Sequence, residues 1–115
     1  SQTYRVPQRC TAMYCASKAA VVQFTKVAAR ELAPKGYIIN ALAPGKIEDT
    51  AMSEKTDAQV LELRGWGKQE ADAYSQSNIP MGRNTCKQEV ALAVMRILNL
   101  PEYINGAVID MTGGQ

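Results

Sequence analysis

Apolar residues recur with helical spacing from about residue 12 to Leu32 and form a stripe broad enough for burial on more than one side. The segment APKG follows, where Pro34 prevents continuation and Gly36 permits a left-handed turn. This pattern predicts a long first helix that ends near Leu32. The polar residues 1–12, which are broken by Pro7, predict a loop before it.

Two short apolar runs follow the pattern of parallel strands that are covered on both faces. They are YIINALA (Tyr37–Ala43) and AVIDM (Ala107–Met111), although periodicity alone leaves a buried helical segment open for the first. Between them, Cys86 to about Asn99 carries apolar residues on one helical face. Thr85 is its predicted N-cap, with Gln88 completing a capping box.

Residues 46–84, hereafter the excursion, are polar and carry charges of alternating sign. Two short helices are predicted in it, at residues 58–64 and 67–77, and we expect the excursion to be a mobile cover over a site. The order is then helix, strand, excursion, helix, strand. That alternation predicts an α/β fold with parallel strands.

Composition limits the class of protein. The chain has 115 residues, enough for one domain, with 46% hydrophobic and 21% charged residues, as is typical of a globular domain. A net charge of +2 without any basic block argues against nucleic acid or a membrane surface as a partner. The longest uncharged run is too short to span a bilayer.

Three cysteines at uneven spacing argue against a disulfide framework, and we expect free thiols in a reducing cytoplasm. The chain has no histidine and no Cys-x-x-Cys motif, so no metal site is expected. The chain begins with Ser1 rather than methionine, which is compatible with a cut or incomplete chain.

Tyr14 and Lys18 carry the candidate chemistry. Side chains four residues apart lie on one face of a helix, so these two can project into the same space. A phenol titrates near 10 in water, and a neighbouring ammonium favours the phenolate, which makes such a phenol usable as an acid or base. The plain alternative is an exposed lysine whose stem packs on a half-buried ring.

Four sequence motifs, taken together, favour a catalytic role for this pair over the plain alternative. YCASK resembles the Tyr-x-Ala-Ser-Lys signature of the short-chain dehydrogenase/reductase family, and NALAPG resembles the family's Asn-x-x-x-Pro-Gly. IPMGR is similar to the end of the family's substrate loop, and INGAVIDMTGG to its final strand. The resemblance covers nearly the whole chain and is weakest in the excursion.

The resemblance implies a role for each matching residue. Tyr14 is the expected general acid/base. Lys18 is expected to bind the nicotinamide ribose and to favour the phenolate. Ser1 lies at the family's spacing before the tyrosine, thirteen residues upstream, and is expected to polarise the substrate oxygen. The reaction implied is hydride transfer between NAD or NADP and a secondary alcohol or ketone.

The resemblance also implies which residues form the wall of the cofactor-binding site. Pro44, Gly45 and Ile47 match the segment whose backbone contacts the nicotinamide carboxamide, and Gly45 would permit that close approach. Thr50 corresponds to the family's cofactor-binding threonine, although it lies one position later than the commonest pattern. Asn40 is expected to be structural and to brace the strand end.

The family's Gly-rich phosphate-binding turn and its catalytic asparagine have no counterpart in the sequence. Residues 1–115 therefore resemble the C-terminal catalytic half of one doubly wound Rossmann-type domain, with the excursion as its substrate lid. We expect the isolated chain to bind dinucleotide weakly or not at all, and the intact parent to form a homodimer or homotetramer.

Two other functions remain open. An inactive fragment that acts only through association with other subunits would have the same broad apolar first helix. An epimerase or dehydratase of the extended family shares the Tyr-x-x-x-Lys pair, but NALAPG and the terminal Gly-Gly argue against it. Within the oxidoreductases, the charged excursion resembles loosely that of polyol (sorbitol-type) dehydrogenases.

Overall fold

The computed structural model describes residues 1–55, 57–59 and 61–115 in full, and residues 56 and 60 by their backbone alone. Its elements are a 3-10 turn at Gln2–Tyr4, α1 (Ala12–Leu32), a 3-10 turn at Ala33–Lys35, β1 (Ala41–Pro44), α2 (Ala51–Arg64), α3 (Lys68–Ser77), α4 (Lys87–Ile97) and β2 (Val108–Met111).

The two strands form a parallel sheet, as the alternation of elements predicted. β1 pairs with β2 from Ala41 opposite Val108 to Pro44 opposite Met111. The ladder continues at the carboxyl end, where the Gly45 amide donates to the Met111 carbonyl at 2.9 Å. Parallel strands bring their carboxyl ends to one edge, which is where α/β folds place their ligands.

Helix α1 has the predicted bounds, and Gly36 ends the turn that follows it with φ of +80°. Its burial is narrower than the sequence indicated, because Val22, Thr25, Ala28 and Ala29 are buried whereas Phe24 is 73% exposed. The predicted loop over residues 1–12 was wrong in part. Residues 2–4 form a 3-10 turn that Ser1 caps and that packs on α1.

Asn40 and Asn105 join the segments that lead into the two strands. Asn40 Nδ2 donates to the Ile104 carbonyl at 2.8 Å, and Asn40 Oδ1 accepts from the Ala107 amide at 2.9 Å. Asn105 makes the corresponding two bonds from the second segment back to the first. Its Oδ1 accepts from the Ile39 amide at 2.8 Å, and its Nδ2 donates to the Tyr37 carbonyl at 2.9 Å. The structural role predicted for Asn40 is confirmed.

The prediction that YIINALA is a strand covered on both faces was wrong for its first residues. Tyr37 is 58% exposed and Ile38 46%, and the strand begins only at Ala41. Side-chain amides of asparagine satisfy the backbone there in place of a ladder. Only Ala43, at 2% exposure, is buried as a central strand residue would be.

Two helix starts also differ from prediction. Helix α2 begins at Ala51, before the expected residue 58, because Thr50 and Ser53 form a capping box at its N-terminus. Helix α4 is capped by Cys86, and Glu89 rather than Gln88 closes its box by accepting from the Cys86 amide. The Thr85 hydroxyl instead donates to the Glu89 carboxylate at 2.9 Å.

Candidate active site

Tyr14 and Lys18 lie on one face of α1, in its first two turns. The Lys18 Nζ stands 5.3 Å from the centroid of the Tyr14 ring. Tyr14 is 38% exposed, so the ring is not sealed in packing. The proximity that helical spacing predicted is therefore present.

Ser1 lies close to this pair. Its hydroxyl oxygen accepts from the Thr3 amide at 3.4 Å and lies 2.9 Å from the Thr3 hydroxyl. Ser1 lines the same cleft as Tyr14. The structure thus brings together the three residues that the sequence singled out for catalysis.

A cleft of about 480 Å³ opens beside Tyr14. Among the residues that the structure describes, its lining is Ser1, Gln2, Thr3, Gln8, Thr11, Tyr14, Gly45, Lys46, Thr50, Met52, Ser53, Asp57 and Gln59. Of the predicted cofactor residues, this set contains Tyr14, Gly45 and Thr50, whereas Lys18, Pro44 and Ile47 are not among the lining residues.

Gly45 forms the back wall of the cleft, at the carboxyl end of β1. A Cβ added to it would lie 3.2 Å from Gln2 Oε1 and 3.6 Å from the Thr112 Cα. That spacing is tighter than ordinary van der Waals contact at the amide oxygen. A side chain here would crowd the wall, so the position favours glycine where a ligand approaches the backbone closely.

Ile47 and Thr50 serve structural contacts of their own. Ile47 forms a single parallel bridge with Thr85, and the Glu48 amide donates to the Thr85 carbonyl at 2.9 Å. Thr50 Oγ1 accepts from the Ser53 amide at 3.1 Å as the N-cap of α2. These contacts fix the two residues in the first part of the excursion, just after the end of β1.

The first helix of the excursion supplies the wall opposite Ser1. Lys46 Nζ pairs with Asp57 Oδ1 at 2.8 Å, which ties α2 to the end of β1. Both side chains are about a third exposed or less, at 26% and 35%. Sequence reasoning missed both residues, because a lysine and an aspartate eleven positions apart carry no local signal.

Two further residues of the YCASK motif make local contacts. Ser17 is exposed and donates to the Tyr14 carbonyl at 2.7 Å. Cys15 is half-buried. The Thr11 hydroxyl, 3.1 Å from its sulfur, and then a backbone contact with Gln8 lower the pKa of the Cys15 thiol.

The two arginines of the excursion are exposed, and each contacts partners within the chain. The Arg64 guanidinium lies 4.6 Å from the Trp66 ring centroid and 5.1 Å from that of Tyr74. Trp66 packs edge-on against Tyr74 at the junction of α2 and α3. Arg83 makes a two-pronged ion pair with Glu89 at 2.6 and 2.9 Å.

The described part of the chain shows neither a metal-binding cluster nor a membrane-spanning helix. Within it, no three or more His, Cys, Asp or Glu side chains gather in a way that would hold a metal ion. None of the helices searched there combines the length and the apolar character that crossing a membrane requires.

Comparison with known proteins gives consistent results. A family model described as Enoyl-(Acyl carrier protein) reductase matches residues 2–115. The chain is 37% identical over 102 residues to the L-2,3-butanediol dehydrogenase of Corynebacterium glutamicum, with 88% of this chain and 39% of that protein covered. It is 38% identical over 103 residues to the 3-oxoacyl-[acyl-carrier-protein] reductase FabG of Vibrio harveyi, with 88% and 37% covered.

Solved structures agree on the fold. A short chain dehydrogenase family protein from Francisella tularensis superimposes with a TM-score of 0.89 at 25% identity, covering 98% of this chain and 47% of that one. An actinorhodin polyketide ketoreductase with NADPH gives 0.86 at 28%, covering 97% and 42%. An NAD⁺-bound xylitol dehydrogenase gives 0.87 at 23%, covering 99% and 46%. The chain spans less than half the length of each of these proteins.

Proposed function

Because the chain belongs to the short-chain dehydrogenase/reductase family, we propose that it is the catalytic half of an NAD(P)-dependent oxidoreductase acting on a secondary alcohol or ketone. The observation that carries the proposal is the group of Tyr14, Lys18 and Ser1 beside one cleft. Named relatives with this activity class include a butanediol dehydrogenase and a ketoreductase.

In this proposal Tyr14 handles the proton. During reduction its hydroxyl gives a proton to the substrate oxygen as the carbonyl carbon gains hydride, and during oxidation the phenolate takes that proton back. Bound NAD(P)H supplies the hydride. The ring faces the cleft and is partly exposed, so a small substrate can approach the hydroxyl. Proton transfer by a positioned side chain typically contributes about 10²- to 10⁴-fold in rate.

Lys18 and Ser1 assist that transfer. The Lys18 ammonium, 5.3 Å from the ring centroid, stabilises the phenolate that forms when Tyr14 gives up its proton. The same ammonium has hydrogen-bond donors to spare for a ribose hydroxyl. Ser1 presents a hydroxyl on the cleft lining that can donate to the substrate oxygen and hold it near Tyr14.

The back wall fits a nicotinamide. Gly45 leaves room for close approach, since even a Cβ there would crowd the Gln2 amide oxygen at 3.2 Å. We propose that the backbone from Pro44 to Ile47 holds the carboxamide and that Thr50 borders the same site. Thr50 already accepts a hydrogen bond as an N-cap, but its hydroxyl proton is available for a second one.

The excursion is proposed as the cover of this site. Met52, Ser53, Asp57 and Gln59 of α2 line the cleft, and the Lys46–Asp57 pair fixes the helix to the strand end. Closure of such a segment excludes water from the reacting atoms. The Arg64 guanidinium at the end of α2 contacts the rings of Trp66 and Tyr74, which joins α2 to α3.

A specific observation also favours the second candidate, a unit that acts through association. Large apolar side chains on α1 and α4 face solvent, including Phe24 at 73% exposure and Met95 at 59%. Such patches mark interaction surfaces. They are compatible with a homo-oligomer of an active parent, and equally with a chain whose remaining capacity is assembly.

Titration with cofactor, followed by an activity assay, separates the two candidates. In calorimetry with NAD(H) and NADP(H), the isolated 115-residue chain is expected to bind weakly or not at all, because it lacks the Gly-rich turn. The native polypeptide that contains this chain is expected to bind one of the two dinucleotides and to reduce a small ketone with it. Association without cofactor binding in that polypeptide would reject the oxidoreductase and favour the second candidate.

A further inference from the structure

Two hydroxyl groups meet at the start of the 3-10 turn beside the cleft. The Ser1 Oγ lies 2.9 Å from the Thr3 Oγ1 and also accepts from the Thr3 amide at 3.4 Å. Thr3 is 7% exposed, whereas Ser1 is half-buried, and both line the cleft that contains Tyr14. A buried threonine therefore contacts the serine of the proposed site through both its amide and its hydroxyl.

The direction of the bond between the two hydroxyls decides what Ser1 can offer a substrate. A hydroxyl has one proton to donate and two lone pairs that accept. If Ser1 donated to Thr3, its proton would be used within the turn. If Thr3 donates, its amide and hydroxyl together occupy the acceptor side of Ser1 Oγ, and the serine proton is left for the cleft.

Burial favours donation by Thr3. Among the residues that the structure describes, the Thr3 hydroxyl bonds only with Ser1. A buried donor without an acceptor is costly, so the Thr3 proton needs the Ser1 oxygen. Ser1 is the less buried of the two, and its proton has the cleft as an alternative.

The turn that carries the two hydroxyls is fixed at its other end. The Tyr4 amide donates to the Ser1 carbonyl at 3.4 Å, and the Tyr4 hydroxyl donates to Asp110 Oδ2 of β2 at 3.2 Å. The Arg5 Nε reaches the same carboxylate oxygen at 3.3 Å. These contacts tie the turn to the last strand, so the Ser1–Thr3 geometry is set within the protein.

Resting on the proposed function, we infer that Thr3 is a positioning residue that directs the Ser1 hydroxyl proton towards the substrate oxygen. Thr3 acts through Ser1 and does not touch the reacting atoms. With its acceptor side filled, the serine is held as a donor before the carbonyl oxygen gains negative charge. Donors that are oriented in advance stabilise developing charge without first having to turn.

Thr3→Val tests the inference in the native polypeptide that contains the chain, with 3-hydroxybutan-2-one as the ketone and NADH or NADPH as the reductant. The variant keeps the branched shape and removes the hydroxyl. Removal of a donor from such a site costs about 10²- to 10³-fold in kcat, so a misdirected donor should cost less, about 10-fold. KM should change by less than about threefold, because the bond strengthens only as charge develops. Thr3→Ser should recover most of the lost rate.

Thr25→Val is the matched control. Thr25 is 6% exposed, and its hydroxyl donates at 2.9 Å to the Val21 carbonyl within α1, outside the cleft. The control should lose a similar amount of thermal stability and keep its kcat. An equal loss of kcat in Thr25→Val and Thr3→Val would overturn the inference, because the loss would then reflect weakened folding.

The Ser1→Ala background separates action through the serine from any other role of Thr3. In that background Thr3→Val should have no further effect on kcat, since the group that it directs is gone. Losses that multiply in the double variant would overturn the inference, because Thr3 would then act independently of Ser1.

Neutron diffraction from perdeuterated crystals of the native polypeptide tests the hydrogen-bond direction without any turnover. Failure of the wild type to reduce the ketone with either dinucleotide rejects the proposed function, and the deuteron positions still decide the inference. A Thr3 deuteron between the two oxygens, with the Ser1 deuteron pointing into the cleft, supports it. A Ser1 deuteron between the two oxygens overturns it.

Discussion

Replacement of Asn105 by alanine tests the most concrete structural claim, that two asparagine side chains substitute for a sheet ladder ahead of the strands. The change removes two hydrogen bonds, from the Ile39 amide at 2.8 Å and to the Tyr37 carbonyl at 2.9 Å. At about 1 kcal/mol net for each bond, the free energy of unfolding should fall by about 2 kcal/mol. The Ile39 amide is partly buried, so its loss of a partner carries most of that cost.

The same arithmetic predicts the change in melting temperature. Unfolding entropies of about 2.1 cal/mol/K per residue give about 0.24 kcal/mol/K for a chain of this length, so 2 kcal/mol corresponds to a drop of about 8 °C. Urea and thermal unfolding followed by far-ultraviolet circular dichroism measure both quantities. Asn40→Ala should behave alike, since it also loses two bonds.

The double variant and a control make this prediction specific. Both asparagines hold the same two segments, so the double variant should lose less than the sum of the single losses. Asn99→Ala is the matched control, because that side chain makes one exposed bond within its own helix terminus, to the Met95 carbonyl. A stability of Asn105→Ala equal to that of the Asn99→Ala control would refute the reasoning.

Two further predictions concern the ends of helices and strands. Arg83, followed by Thr85 and the Cys86 amide, lowers the pKa of Glu89 from 4.5 to about 2, so its contribution to stability is present above pH 4.5 and lost as the pH falls towards 2. The urea midpoint should show that loss, and Glu89→Gln should flatten it; an equal loss in the variant would contradict the assignment. Gly113→Ala should lower the melting temperature more than Gly82→Ala. Both glycines have positive φ, but a Cβ at Gly113 would lie 2.7 Å from Ile79 Cγ2, whereas a Cβ at Gly82 meets open space. Equal shifts in the two variants would show that the contact with Ile79 costs nothing.

Local signals in the sequence were sufficient for much of the fold. Helix α1 ends where Pro34 and Gly36 stop it, and the Tyr14–Lys18 proximity follows from helical spacing alone. These features depend on neighbours within a few residues, which the sequence displays directly. The alternation of helices and strands predicted the parallel pairing of the strands in the same way, because the order of the elements is visible along the chain.

Contacts between distant segments were not predictable. Tyr37 and Ile38 are exposed because no other element covers them, and the periodicity of the sequence does not contain that information. The choice of Glu89 over Gln88 as the capping partner follows from Arg83 and Thr85, which converge on its carboxylate. In the site, Thr3 gave no sequence signal of its own, because its contact with the Ser1 hydroxyl is a property of the packed structure.

The measurement that tests the central claim most directly is Tyr14→Phe in the native polypeptide that contains this chain. The variant keeps the ring and its 5.3 Å contact with Lys18 but has no proton to give. Turnover of the ketone should fall by about 10²- to 10⁴-fold with the dinucleotide dissociation constant nearly unchanged. Tyr37→Phe, which alters an exposed ring outside the cleft, should retain full activity. Wild-type turnover in Tyr14→Phe would contradict the account, because another group would then deliver the proton.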